Sequence, residues 1–242
     1  MDFLSYHTSR DVLQGPGPSH WLGTNDIGQD VLSGLVLAAP NTILLSLAGA
    51  TLAMMIAIAV GGLASARNRI VVTLALRLVD ILQAMPSTLV LLLIAAWLRP
   101  GFWGVAVLMG VTAWHDDVRV LAAVFRRQFA RESVQYARHI GAGRLYCLLR
   151  HVLPAMAPTL LALFVQNVRY VTARVAGLAF LGLTDPRLLT WGGMLQDGVG
   201  HLYEPAWLWL LVPPCLCLSG MLLSLLALGA RLEGPRHGEA LR

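Results

Sequence analysis

The sequence predicts an all-α, polytopic membrane protein, and three observations carry that reading. Hydrophobic residues make up 57% of the 242 positions and charged residues 13%. Mean hydropathy is +0.66. The charges that do occur fall between long uncharged stretches, and the arginines crowd into only some of the connections. A soluble domain is about 25% charged and about 45–50% apolar. The apolar excess excludes intrinsic disorder, which needs low hydrophobicity and high charge. It also speaks against a soluble enzyme, which would have to expose large apolar patches. Lipid is the solvent for most of this chain.

The uncharged stretches give the elements in order. Residues 31–66 carry no charge, and Pro40 suits a helix entry, so the first span is expected over 41–65. Ile81–Leu98 is bounded by Asp80 and Arg99, which sets a second span at 77–98. Pro100–Trp114 is uncharged and predicts a third at 101–122. Val152–Leu183 is apolar except for Arg169 and Arg174, giving 154–183, and Pro205–Ala230 gives 205–230. A span needs about 20 mostly apolar residues, so five are expected. No internal repeat is visible.

All 18 basic residues are arginine, and the pI is about 9.6. Their positions decide what the basic balance means. Arg67, Arg69 and Arg77 lie in or beside the first connection; seven arginines from Arg119 to Arg150 crowd the third; Arg231, Arg236 and Arg242 follow the last span. This is the positive-inside pattern rather than a nucleic-acid surface. It puts the first and third connections and the 231–242 tail in the cytoplasm. Residues 1–40 are then extracytoplasmic, and 41–230 form the transmembrane domain, with a cytoplasmic loop at 126–153. The three cysteines form no CxxC motif and no even-numbered disulfide framework.

The third connection is the most informative. A short helix over Glu132–Ile140 is expected to end at Gly141 and Gly143. A second helix begins near Arg144, and Pro154 opens the next span. The segment Gln135-Tyr136-Ala137, three residues, Gly141, nine residues, His151, one residue, Leu153-Pro154 resembles the "EAA" loop of ATP-binding-cassette importer permeases. Gln135 and Tyr136 replace that loop's glutamate and first alanine. Trp21-Leu-Gly-Thr-Asn-Asp-Ile-Gly-Gln-Asp-Val-Leu-Ser33 resembles a segment of the dipeptide/oligopeptide/nickel permeases. So do Arg77-Leu-Val-Asp80 with Ala84-Met-Pro86, and Phe180-Leu-Gly-Leu183 with Trp191-Gly-Gly-Met-Leu195. Their order along residues 20–198 makes the resemblance specific.

That resemblance implies the fold of a type I importer permease. Such permeases usually have six spans, the extra one lying ahead of the Trp21 segment. It implies a multi-pass protein of the bacterial inner membrane that forms half of a translocation path. It further implies that Glu132, Gln135, Tyr136, Ala137, Gly141 and Pro154 couple the spans to an ATPase. The implied partners are a homologous second permease, two cytoplasmic ATPase subunits and an extracytoplasmic substrate-binding protein, besides the bilayer; nucleic acid is not among them. No P-loop and no lysine occur, so the chain is expected to be no enzyme and to carry no cofactor, with ATP and Mg held by the ATPases. Val175-Ala176-Gly177 looks like the nickel-type branch, where peptide permeases often have an acidic residue at the first position. The expected cargo is nickel or a metal–chelator complex, with di- or oligopeptides as the alternative. A stand-alone secondary transporter is the rival of another class, and it calls for inverted repeats that this chain does not display.

Charge within a span is costly and faces a cavity or a partner. Arg169, with Gln166, Asn167, Tyr170 and Arg174, is therefore a candidate for the substrate path. Pairing of Arg169 with the second permease fits equally well. His115, Asp116 and Asp117 invite a metal reading, but adjacent helical residues diverge by about 100°. An ion pair of Arg119 with His115 or Asp116 on the same face is the expectation, with no metal site. Trp207 and Trp209 suit an interfacial aromatic belt.

Overall fold

The computed structural model describes residues 10–66 and 68–233. The expectations for residues 1–9, for Arg67 and for 234–242, with Arg236 and Arg242, lie outside the described residues. Among the described residues every regular element is helical.

Helix α1 (Val31–Ala64) is the axis of the molecule. It starts well before the expected entry at Pro40, which sits inside it. The stronger start signal is Asp30, whose carboxylate accepts the backbone N–H of Ser33 at 2.8 Å and its hydroxyl at 2.9 Å. An N-cap of this kind satisfies a donor that the first turn otherwise leaves open.

The expected continuous span 77–98 is corrected to two helices. Helices α2 (Arg69–Ala84) and α3 (Ser87–Leu98) meet at a bend of 73°. The cause is Pro86. It has no N–H to donate, and it drives Met85 to the extended region at φ −86°, ψ 134°. The expected span 101–122 is likewise broken. Helices α4 (Phe102–Ala113) and α5 (Val118–Phe129) are separated by a 3₁₀ turn at Trp114–Asp116.

Among the described residues, three helical runs are long and apolar enough to cross a membrane: α1, Arg144–Phe180 and the last helix. The α2–α3 pair makes a fourth if counted as one span. The expected fifth consists of α4 and α5, each of 12 residues and too short alone. They lie end to end along α1. Gly49 of α1 abuts Met109 and Gly61 abuts Leu121, so the broken rod runs parallel to α1. A Cβ on Gly49 would sit 2.8 Å from Met109 Cβ, and one on Gly61 2.9 Å from Leu121 Cβ. Gly49, Ala53, Ala57 and Gly61 recur every fourth residue and form a stripe on one face. Small residues so spaced let helices approach closely where lipid offers no hydrophobic drive.

Helix α6 (Glu132–His139) and the single turn α7 (Arg144–Cys147) follow, then α8 (Leu153–Phe180), α9 (Trp191–Val199) and α10 (Trp207–Glu233). The expected spans 154–183 and 205–230 correspond to α8 and α10. Helix α9 lies inside what reads in sequence as a plain connection. Thr190 caps it, accepting from Gly193 N–H at 3.1 Å. Trp209 is no lipid-facing belt residue. Its indole N–H donates to the Thr24 carbonyl at 3.1 Å and ties the N-terminal segment to α10.

Two apolar clusters divide the helix bundle along α1. One, at the arginine-rich end, gathers Ala57, Val79, Leu121, Phe125, Val134, Cys147 and Met156. The other gathers Leu45, Leu91, Val105, Met109, Val171 and Leu178. A third cluster, with Val31, Trp191 and Leu210, seals the far end.

Candidate coupling and transport sites

The first candidate site is α6 and its exits. The helix begins with Glu132 in its first turn, where a carboxylate complements the positive end of the helix. Val134 and Ala137 are buried and join the cluster at the arginine-rich end. Gln135 and Tyr136 lie on the opposite side, and Tyr136 is 71% exposed. The Gln135 amide donates to the Ala130 carbonyl at 3.3 Å, which ties α6 back to the end of α5.

The helix ends as its glycine demands. Gly141 has φ +93°, a region that other residues rarely adopt. Its N–H donates to the Arg138 carbonyl at 3.1 Å, and the Ala142 N–H to the Ala137 carbonyl at 3.0 Å. These are the paired bonds of a Schellman stop. Gly143 has an ordinary negative φ of −66° and caps α7. The chain then passes through a π-helical turn, Leu148–Val152, where Leu153 N–H reaches the Leu148 carbonyl. Pro154 explains the widening, since it cannot donate to Arg150 and its ring crowds that carbonyl. The helix begun at Arg144 therefore runs on into α8 as one continuous rod, Arg144–Phe180.

The second candidate site is the middle of α8, and the five expected residues separate there. Gln166 and Arg169, with Ala162 of the same helix, line a crevice of about 180 Å³ against Leu225, Leu226 and Gly229 of α10. The Arg169 guanidinium lies over the ring of Tyr170, 5.2 Å from its centroid. Among the described residues Arg169 makes no salt bridge. Asn167 is buried and turns the other way, donating its amide N–H to the Asp117 carboxylate. Arg174 is half-buried and, at about 100° per residue, turned by roughly 140° from Arg169.

The expected pairing of Arg119 with His115 or Asp116 is corrected. Arg119 pairs with Asp80 of α2. Asp116 instead lies 3.1 Å from His115 Nδ1, without hydrogen-bond alignment. The Gln83 amide donates to the His115 carbonyl at 3.3 Å. These links between the breaks in α2–α3 and α4–α5, and the Asp117–Asn167 bond, had no sequence signal, because their partners are 32–50 residues apart. Among the described residues no three His, Cys, Asp or Glu side chains come together as a metal site.

The far end carries acidic groups. Asp197 of α9 lines a crevice with Asn25, Gln29 and Asp30. Burial, and then the charge of Asp26, push its carboxyl above the ordinary aspartate range, with His201 opposing.

Comparison with known proteins gives the following. The family model described as "binding-protein-dependent transport system inner membrane component" matches residues 49–233. A putative peptide permease protein of Brucella suis biovar 1 is 28% identical over 219 residues, covering 89% of this chain and 72% of the relative. The oligopeptide transport system permease protein OppC of Bacillus subtilis is 28% identical over 193 residues, covering 79% of this chain and 63% of the relative. Among solved structures, the MetNI methionine ABC transporter in an inward-facing conformation aligns with a TM-score of 0.63 and 14% identity. The alignment covers 82% of this chain and 94% of that one, a likeness of fold alone.

Proposed function

We propose a role for a chain that belongs to the family of binding-protein-dependent transport system inner membrane components, and is thereby a multi-pass permease of an ATP-driven importer. It forms half of a path for short peptides and is driven through α6. The expectation of nickel or a metal chelate gives way to its alternative. The relatives quoted above are named peptide permeases, and the Val175-Ala176-Gly177 pattern is too short to outweigh them. The arginine-rich end faces the cytoplasm, and the ATPases sit beneath it.

The observation that carries the coupling reading is the two-sided character of α6. Val134 and Ala137 anchor it to the core shared by α1, α5 and α8, while Gln135 and Tyr136 point away. A push on the exposed side reaches the spans without an intervening flexible loop. Arg169 suits the C-terminal carboxylate of a peptide, as a guanidinium does generally.

The test uses the full complex of this chain with its second permease, ATPases and binding protein in proteoliposomes. A Tyr136→Cys variant should cross-link to an ATPase subunit. Binding protein loaded with short peptide should drive both hydrolysis and uptake. Uptake of chelator-free nickel in place of peptide overturns the cargo. Failure of Tyr136→Cys to reach any ATPase cysteine overturns the coupling role.

A further inference from the structure

A trough of about 510 Å³ opens where the ends of α1 and α5 meet the start of α7. Its walls are apolar, with Ile58, Leu63, Phe129, Leu145 and Leu148 among them. Leu63 and Leu145 are more than half exposed. Gly62 lies on the wall, and a Cβ built there would meet nothing within 4 Å. Arg144 lines the trough, its guanidinium 5.5 Å from the centroid of the Phe129 ring. Arg126 reaches the carbonyl of Ala64 beside it at 3.4 Å. Among the described residues neither arginine makes a salt bridge with a carboxylate.

We infer that this trough is a binding site for one anionic phospholipid of the cytoplasmic leaflet. The apolar walls take an acyl chain, and Arg144 takes the phosphate. The inference rests on the orientation proposed above, not on the cargo. Charge complementarity chooses the occupant. An apolar protein segment would leave the Arg144 guanidinium on the wall uncompensated, and a zwitterionic headgroup would neutralise it only in part. The trough also lies where the first and third connections meet the spans, the level at which the proposed orientation puts the headgroups. Basic pockets between helices at that level suit acidic headgroups. Arg144 already stacks on Phe129, which leaves its edge free to donate.

The test is native mass spectrometry on the assembled complex in mild detergent, with phosphatidylglycerol or phosphatidylcholine added in equal amounts. Each arginine near a membrane surface is worth about 1 kcal/mol toward an anionic lipid, which is about fivefold in retention. Phosphatidylglycerol should therefore be retained over phosphatidylcholine, and Arg144→Gln should lower that preference about fivefold. Gly62→Leu, which puts a side chain on the wall where a Cβ meets nothing within 4 Å, should weaken both lipids and leave the preference unchanged. Equal retention of the two lipids by the wild type overturns the site, as does an unaltered preference in Arg144→Gln. Should Gly62→Leu lower the yield of complex, Arg144→Gln decides alone. Cross-linking of a Gly62→Cys variant to a partner subunit would mean that protein fills the trough, and would also overturn it.

Discussion

Replacing Gly141 isolates the end of α6 from everything around it. At φ +93° the backbone sits where a side chain clashes with its own carbonyl, so any L residue other than glycine is strained. The surroundings add nothing, because a Cβ there meets no atom within 4 Å. The cost of Gly141→Leu is therefore backbone strain alone, about 1–2 kcal/mol. If the chain relaxes, the two Schellman bonds at 3.0 and 3.1 Å open and about 0.5–1.5 kcal/mol is lost for each. The strain alone shifts the position of α6 by an equilibrium factor of roughly 5–30, and loss of both bonds by up to about 150. Gly143 is the internal control. Its φ of −66° is ordinary, it caps α7 and it too faces open space, so Gly143→Ser should be silent or slightly stabilising. The assay is peptide uptake per ATP hydrolysed in proteoliposomes holding the full complex. Gly141→Leu should lower that ratio several-fold with normal membrane insertion, and Gly143→Ser should leave it alone. Unchanged coupling in Gly141→Leu, or equal losses in both, refutes the assignment.

Three further outcomes follow from the same geometry. A Ser19→Cys variant should react with an impermeant thiol reagent in intact cells, since Ser19 is exposed in the segment placed outside; labelling only after lysis reverses the topology. Arg169→Gln should weaken uptake of peptides with a free C-terminus by about tenfold and spare C-terminally amidated ones; an equal effect on both would assign Arg169 to subunit pairing. The folded protein holds the Asp197 proton more tightly than the unfolded chain does, so ionisation at neutral pH costs stability that acid restores. Asp197→Asn should thus raise the melting temperature at neutral pH. The gain should fade as pH falls through the raised value toward the ordinary aspartate range, and a gain that grows on acidification contradicts this.

Much of the architecture is legible in the sequence because membrane burial leaves a strong mark. Uncharged runs and the arginine bias locate the apolar segments, and the glycine at 141 marks the end of α6 with the correct stop. Local chemistry misled where two signals competed. Pro40 looked like a helix start, but Asp30 with Ser33 makes the better cap, and a proline inside a helix is tolerated in a bundle. Pro86 stood inside a resembling motif, and its breaking effect is visible only in the bend. The five polar residues of α8 look like one patch in sequence. Helical rotation sends Gln166 and Arg169 to the α10 crevice and Asn167 to Asp117. Pairs such as Asp80–Arg119 join distant segments, and no single sequence announces them.

The two interrupted rods have a mechanical consequence. The breaks at Pro86 and at Trp114–Asp116 lie side by side, laced by Gln83 to the His115 carbonyl and by Asp80 to Arg119. Rotation about Pro86 costs no bond donated by that residue, which has no N–H to give. Bending α1 or α8 at the same depth would cost helical hydrogen bonds. Compliance is thereby concentrated in one plane, between a block built on the cluster around Leu121 and Phe125 and a block built on that around Met109 and Val171. A torque applied through α6 acts on the first block. Two stiff rods pass it onward, and two articulated ones let the blocks tilt against each other, as in a parallel linkage with its joints aligned.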